Sequence, residues 1–260
     1  MPFLCTNNRY QMNKDIINIL LKEADRYETE SFLFDDPSWF MHHVTGRRNK
    51  EVTAFVASCL SYGAREMFIP KIEYLLRRAN GELDRWILRG EYNWDVPDND
   101  ESFYRLYTNA TMNRFFARLR QLLCEHGTLG AFAADLVKDK DALSFIEAIT
   151  KYFNPEGEPA SLVVPQNTQS SCKRLCMFPR WMVRDDSPVD LGIWSSFIDR
   201  KTLIMPLDTH VMQEAHRLGL INTKSTTMSA AKELTRVLAE AFPDDPVRGD
   251  FALYGYGVNH

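Results

Sequence analysis

Asn49-Lys-Glu-Val-Thr-Ala-Phe-Val-Ala-Ser-Cys-Leu-Ser-Tyr-Gly63 decides the fold class. Its apolar residues Val52, Phe55, Val56, Cys59 and Leu60 recur at intervals of three and four, which places them on one face of an α-helix, and Gly63 stops it. The same period continues in both directions. Toward the N-terminus, Asn13 can cap a helix carrying Ile16, Ile17, Leu20, Leu21, Ala24 and Tyr27. Downstream, a helix with Ile69, Ile72, Leu75 and Leu76 ends at Gly81, and a short turn through Trp86 and Leu88 follows. Further helices are expected at 112–125 (Phe115, Phe116, Leu119, Leu122 and Leu123, stopped by Gly127), 129–137, 141–153, 170–184, 189–198, 206–218, 226–242 and 246–256. No alternating run outcompetes a helix, so the chain reads as all-α with about ten helices and with strands absent or marginal.

Two stretches break the pattern. Residues 91–101 are acidic, aperiodic and contain a proline, and read as a surface loop. Residues 154–165, Asn-Pro-Glu-Gly-Glu-Pro-Ala-Ser-Leu-Val-Val-Pro, form the best place for a boundary or a long connection.

With 260 residues, of which 45% are hydrophobic, the chain can build one large domain or two lobes sharing a core. No apolar run reaches the ~18 residues of a membrane span, and Met1–Arg9 lacks the continuous apolar segment of a secretory signal. A cytoplasmic protein without a membrane partner is the expectation. The five cysteines are odd in number and scattered, so reduced thiols are expected. Cys172 and Cys176 lie one helical turn apart, but no Cys-x-x-Cys or nearby His pair completes a tetrahedral set, and both read as buried apolar thiols.

A net charge of −4 excludes a generally polybasic coat protein and leaves room for a local basic groove. Basic clusters stand at Arg47-Arg48 with Lys50, at Arg77-Arg78, at Arg114 with Arg118 and Arg120, and at Lys173, Arg174, Arg180 and Arg184. The last segment contains no acid. Several such clusters converging on one cleft would make a phosphate footprint.

Leu203-Ile-Met-Pro-Leu-Asp208-Thr-His-Val211 delivers one carboxylate to the start of a helix whose apolar residues are Val211, Met212, Ala215 and Leu218. Orphan N–H groups and the helix dipole there keep a carboxylate ionised. A plain N-cap and a reacting group both fit this position.

Three segments in fixed order resemble the helix-hairpin-helix DNA glycosylases. Glu51-Val-Thr-Ala-Phe-Val-Ala-Ser-Cys-Leu-Ser-Tyr-Gly-Ala-Arg65 is similar to an early helix of that fold, ending in small polar residues that face DNA. Pro206-Leu-Asp208-Thr-His-Val211 is similar to the segment that holds the family's catalytic aspartate. Ser170-Ser-Cys-Lys173-Arg-Leu-Cys-Met-Phe-Pro-Arg-Trp-Met-Val-Arg184 resembles the archaeal 8-oxoguanine glycosylase branch, where a Lys on such a helix is the nucleophile. Taken whole, residues 30–258 resemble an uncharacterised bacterial family distantly allied to these enzymes, through Trp181-Met-Val-Arg184, Val189-Asp-Leu-Gly-Ile-Trp194 and Asp245-Pro-Val-Arg-Gly-Asp-Phe-Ala-Leu-Tyr-Gly255.

The resemblance implies a two-lobe helix-hairpin-helix glycosylase-like fold, residues 1–260 forming one unit with lobes at 31–153 and 166–260 and residues 1–30 packing on the second. It implies a DNA repair glycosylase, with or without lyase activity, that excises an oxidised purine from damaged duplex DNA without a cofactor. Lys173 would form the Schiff base and Asp208 would stabilise the cation and shuttle protons. Arg65, Arg174, Arg180 and Arg184 would contact DNA; Tyr62, Trp181, Trp194 and His210 would form the base pocket, with Phe178 and Tyr256 as further stacking candidates. A Lys nucleophile must be neutral, and desolvation with Arg174, Arg180 and an acid-free neighbourhood would favour that form.

The chain also departs from the common pattern. The Gly-rich hairpin that holds a phosphate is missing, and no cysteine follows Cys176 to build an iron–sulfur motif. Thirty-five residues separate Lys173 from Asp208, a spacing that suits the archaeal branch. Pro179 is expected to kink or break the Lys173 helix. Two other readings stay open here: a non-catalytic nucleic-acid-binding protein of the same fold, and a metal-dependent hydrolase using Asp208, His210 and His42.

Overall fold

The computed structural model describes residues 12–137, 139, 141–159 and 161–259. Met1–Arg9 and Cys5 lie outside the described residues. Thirteen α-helices, three short 3-10 helices and one two-stranded hairpin make up the regular structure among them. In the first part of the chain the elements are α1 (Lys14–Tyr27), α2 (Trp39–His42), α3 (Arg47–Leu60), α4 (Arg65–Arg78), α5 (Leu83–Leu88), α6 (Tyr92–Asp95), β1 (Ser102–Tyr104) and β2 (Tyr107–Thr108). They continue with α7 (Asn109–His126), α8 (Leu129–Leu136), α9 (Ala142–Phe153), α10 (Lys173–Val183), α11 (Thr209–Arg217), α12 (Met228–Leu238) and α13 (Gly249–Asn259). The all-α expectation is met, and no helix among the described residues is long and apolar enough to cross a membrane.

Local chemistry sets most helix starts. Asn13 Oδ1 accepts the Asp15 N–H, and the hydroxyls of Thr108, Thr128 and Thr227 cap α7, α8 and α12 in the same way. α3 is the central helix. Its residues from Glu51 to Leu60 are all buried, polar ones included, because α2, α4, α5, α8 and α10 all pack on it. One continuous core runs from Leu20 to Leu253, and α1 packs along α13.

The charged group of α3 in the core is Glu51, fully enclosed. Its Oε2 accepts the Gly130 N–H at 3.1 Å, and its Oε1 accepts the Trp194 indole N–H at 2.9 Å. A carboxylate in the core thus answers an orphan donor in the first turn of α8 and ties α3 to the segment after α10. Residue 130 must lack a side chain, since a Cβ there would stand 2.6 Å from Glu51 Oε1.

Three expectations are corrected. Residues 91–101 are not simply surface loop: they contain α6, and Tyr92 and Val96 are buried. Residues 189–198 form turns rather than a helix, because their N–H groups are taken by the end of α10: Leu191 donates to the Trp181 carbonyl and Trp194 to that of Met182, both at 2.7 Å. α10 runs uninterrupted through Pro179, with Phe178, Trp181 and Met182 beside it fully buried, so packing holds the helix across the missing N–H. The short hairpin β1–β2 agrees with the expectation that strands are absent or marginal.

The described residues of 154–165 carry no regular structure, in line with a long connection. Asn154 organises the stretch: its side-chain amide donates to the Thr150 and Pro165 carbonyls at 2.9 Å and its Oδ1 accepts the Ser161 N–H at 2.8 Å. Val163 and Val164 are thereby drawn into the core.

Candidate functional site

Two helix starts meet at one end of α10. The segment leading into α10 is fastened to the start of α12: Ser171 N–H donates to the Thr226 carbonyl at 3.0 Å, and Met228 N–H to that of Gln169 at 3.2 Å. The Ser171 hydroxyl then donates to the Leu207 carbonyl at 2.6 Å, which brings in the residue before Asp208. Cys172 takes a left-handed conformation (φ 48°), and this turn makes Lys173 the first residue of α10. Across from it, Asp208 is the N-cap of α11, its Oδ1 accepting the Val211 N–H at 2.9 Å.

The other carboxylate oxygen is left for Lys173. Nζ of Lys173 stands 2.7 Å from Asp208 Oδ2, both side chains being about one-third exposed. Burial pushes the Asp208 carboxyl up, but the Lys173 ammonium and the backbone N–H groups of Val211 and His210 more than offset this, so its pKa lies below the ordinary value. Capping and ion pairing are thus one arrangement, with one oxygen for each.

The pair lies in a cleft of about 670 Å³ between α10, α11, α13 and the loop after α3. Of the residues singled out in the sequence, Tyr62, Arg65, Arg174, Arg180, Trp181 and His210 also line it. Arg65 is partly exposed, 3.6 Å from Asp36 and 5.8 Å over the Tyr254 ring. Arg174 donates to the Cys59 carbonyl at 2.6 Å and to the Tyr107 hydroxyl at 2.7 Å, while its guanidinium lies 5.7 Å from the Tyr62 ring centre. Trp181 is fully buried in the wall, and among the described residues its indole N–H has no hydrogen-bond partner. His210 is exposed.

Three assignments do not survive. Arg184 is 1% exposed and does not line the cleft; it is enclosed by Glu28, Asp190 at 2.5 Å and Asp245 at 2.8 Å. Burial alone would lower its pKa, but those carboxylates hold it well above the usual arginine value. Arg180 is 4% exposed and holds Asp250, with Asp190 3.5 Å away, so it has no free fork for a phosphate. Trp194 belongs to the core, stacked edge-on against Phe178 at 5.1 Å and Phe145 at 5.3 Å. Phe178 is buried in the same cluster and does not line the cleft; Tyr256 does not line it either.

The neighbourhood of Lys173 is acid-free in sequence only. Besides Asp208, the cleft contains Asp36 and Asp250, the latter in the first turn of α13 and within electrostatic reach of both Lys173 and Asp208. Burial pushes the Asp250 carboxyl up despite Arg180 beside it. Asp36 accepts from the Ser38 hydroxyl at 2.6 Å and from its N–H at 3.0 Å. Asp36, Asp250 and Tyr254 were not singled out from the sequence. Asp250 and Tyr254 nonetheless lie in the Asp245–Gly255 stretch that carried part of the resemblance.

No group of three or more His, Cys, Asp or Glu side chains among the described residues is placed to hold a metal ion. His42, needed for a metal-dependent hydrolase, hydrogen-bonds the Val189 carbonyl at 2.8 Å through Nε2 and is not part of the cleft. Cys172 and Cys176 are buried free thiols, and burial pushes both upward, which leaves them poor nucleophiles.

Fold and site together define an all-helical protein with a lysine–carboxylate pair at the junction of two helix starts, inside a cleft lined by aromatics and arginines. Residues 36–259 match the family described as "Protein of unknown function (DUF2400)", and the chain belongs to that family. No curated protein and no solved structure matches the chain.

Proposed function

We propose that the chain is a DNA repair glycosylase, with associated lyase activity, that excises an oxidised purine through a Lys173 Schiff base assisted by Asp208. The observation that carries this reading is the 2.7 Å contact between Lys173 Nζ and Asp208 Oδ2 on the wall of a cleft large enough for a base. The glycosylase-like two-lobe arrangement is part of the same proposal.

The chemistry follows from the pair. Lys173 gives a proton from Nζ to the departing base, and the freed amine attacks the anomeric carbon as the base–sugar bond breaks, the bonding electrons leaving with the protonated base while Asp208 stays ionised. Asp208 carries negative charge where the sugar becomes positive, and its capping bonds to α11 keep it in place during the reaction. Opening of the sugar ring gives an iminium that water hydrolyses, or that first loses a C2′ proton and expels the 3′ phosphate. Tyr62 and Tyr254 offer rings at the cleft on which an extruded base can stack.

The test is reductive trapping. The protein is incubated with duplexes containing 8-oxoguanine or an abasic site, and borohydride is added to reduce the iminium to a stable amine. A covalent adduct is expected, lost in Lys173→Ala. An undiminished adduct in that variant would assign the nucleophile to another amine. No adduct from the unaltered protein on either substrate would instead leave a nucleic-acid-binding protein of the same fold.

A further inference from the structure

The hairpin β1–β2 is the one sheet element among the described residues, and it packs against two residues of the cleft wall, Tyr62 and Arg174. Tyr104 pairs with Tyr107 across it, so Arg105 and Leu106 form its two-residue tip. Its base is fixed. Phe103, Tyr104 and Tyr107 are buried; the Tyr104 hydroxyl donates to the Tyr62 carbonyl, and the Tyr107 hydroxyl accepts from Arg174. Both anchors, Tyr62 and Arg174, are cleft residues.

The tip is held against Tyr62 as well. Arg105 is in the left-handed region (φ 50°), and its guanidinium lies 4.7 Å over the Tyr62 ring, with that of Arg174 5.7 Å from the same ring centre. It occupies the space that a Cβ at residue 63 would take, and Gly63, at φ 94°, supplies both the opening and the turn. What remains outside is Leu106, 70% exposed at the end of a braced hairpin. A single exposed leucine on an open surface needs no explanation. Here a strained arginine and two buried tyrosines hold it on a hairpin braced against two residues of the cleft wall, Tyr62 and Arg174.

We infer that the β1–β2 hairpin is a DNA wedge in which Leu106 enters the base stack of the duplex while Arg105 lies toward the backbone. The inference rests on the glycosylase reading. Chemistry on a base in a duplex requires that base to leave the stack, and an apolar side chain pushed between base steps stabilises the gap left behind. The tip of the hairpin carries a cation and no acid.

The experiment uses the full chain with two duplexes, one intact and one containing a tetrahydrofuran abasic analogue next to a 2-aminopurine reporter. The unaltered protein is expected to favour the abasic duplex and to change the reporter fluorescence. Leu106→Ala is expected to reduce that preference by about tenfold and to remove the fluorescence change, with intact-duplex affinity and its salt dependence kept. Leu106→Phe should restore both. Unchanged preference and fluorescence in Leu106→Ala overturn the wedge while leaving the glycosylase reading in place. Failure of the unaltered protein to bind either duplex at low salt overturns the glycosylase reading and the wedge together. Parallel loss of intact-duplex binding in Leu106→Ala and Leu106→Phe also overturns it, since a general contact rather than insertion would then be at work.

Discussion

Lys173 donates to Asp208 Oδ2 at 2.7 Å while Asp208 Oδ1 caps α11, so one carboxylate joins the first residue of one helix to the first turn of another. A simple cap would leave Oδ2 to solvent. The contact exists because the Ser171 hydroxyl bonds the Leu207 carbonyl and sets the two helix starts side by side. The arrangement separates the two roles of the carboxylate between its oxygens, and each role has its own consequence under mutation.

Asp208→Asn is expected to keep the cap, because an amide oxygen still accepts the Val211 N–H, while removing the charge beside Lys173. Under the proposed mechanism, single-turnover base release should slow by about a hundredfold or more, the scale of losing a preorganised electrostatic contact, with duplex affinity nearly unchanged. A variant that releases base at the original rate would remove Asp208 from the chemistry.

The pH dependence has a definite sign. The folded pKa of Asp208 lies below its unfolded value, so the pair contributes stability that is present above the ordinary carboxylate range and is lost as pH falls through the folded pKa. The stability gap between the protein and Asp208→Asn should therefore be constant from neutral pH to about 5 and close below about 4, the unfolded Asp range. Denaturant unfolding at a series of pH values measures it. A gap that instead closed on raising the pH from 5 to 7 would contradict the assigned direction.

What could be read in advance followed the range of the interaction. Caps and periodicity act within one turn, so Asn13, the α3 pattern and Asp208 as a helix start were all legible. Partners brought by folding were not. Arg184 sits in an acid-free run, yet its carboxylates come from Asp190, Asp245 and Glu28, the last 156 residues away. Trp194 reads as an available ring, but Glu51 in the core takes its indole N–H. The hairpin strands are three and two residues long, too short for alternation to appear.

Glu51 and Gly130 should behave as a unit in stability measurements. Gly130→Ala places a Cβ against Glu51 Oε1 and the Trp194 indole nitrogen, an overpacking that costs about 1–3 kcal/mol. Glu51→Ala leaves the Gly130 and Trp194 donors buried without an acceptor, and about 3 kcal/mol or more should be lost. The double variant should be less destabilised than the sum of the two, because the clash disappears with the carboxylate. Strict additivity in urea unfolding would show that the two residues do not share the contact.

The arginines divide by burial into those that hold the fold and those that can meet a polyanion. Arg184 is enclosed by three carboxylates, so Arg184→Ala leaves uncompensated negative charge in the interior and should destabilise by about 3–5 kcal/mol. Under the proposed function, the variant that still folds at low temperature should bind duplex DNA with an unchanged salt slope, because no phosphate contact is lost. Arg65, 41% exposed at the cleft and only 3.6 Å-paired to Asp36, is the opposite case. Arg65→Ala should cost little stability and reduce the slope of log affinity against log salt by about one. Affinity measured between low and physiological salt for the two variants decides the division: a reduced slope in Arg184→Ala with an unchanged one in Arg65→Ala would mean that DNA meets a different face from the cleft.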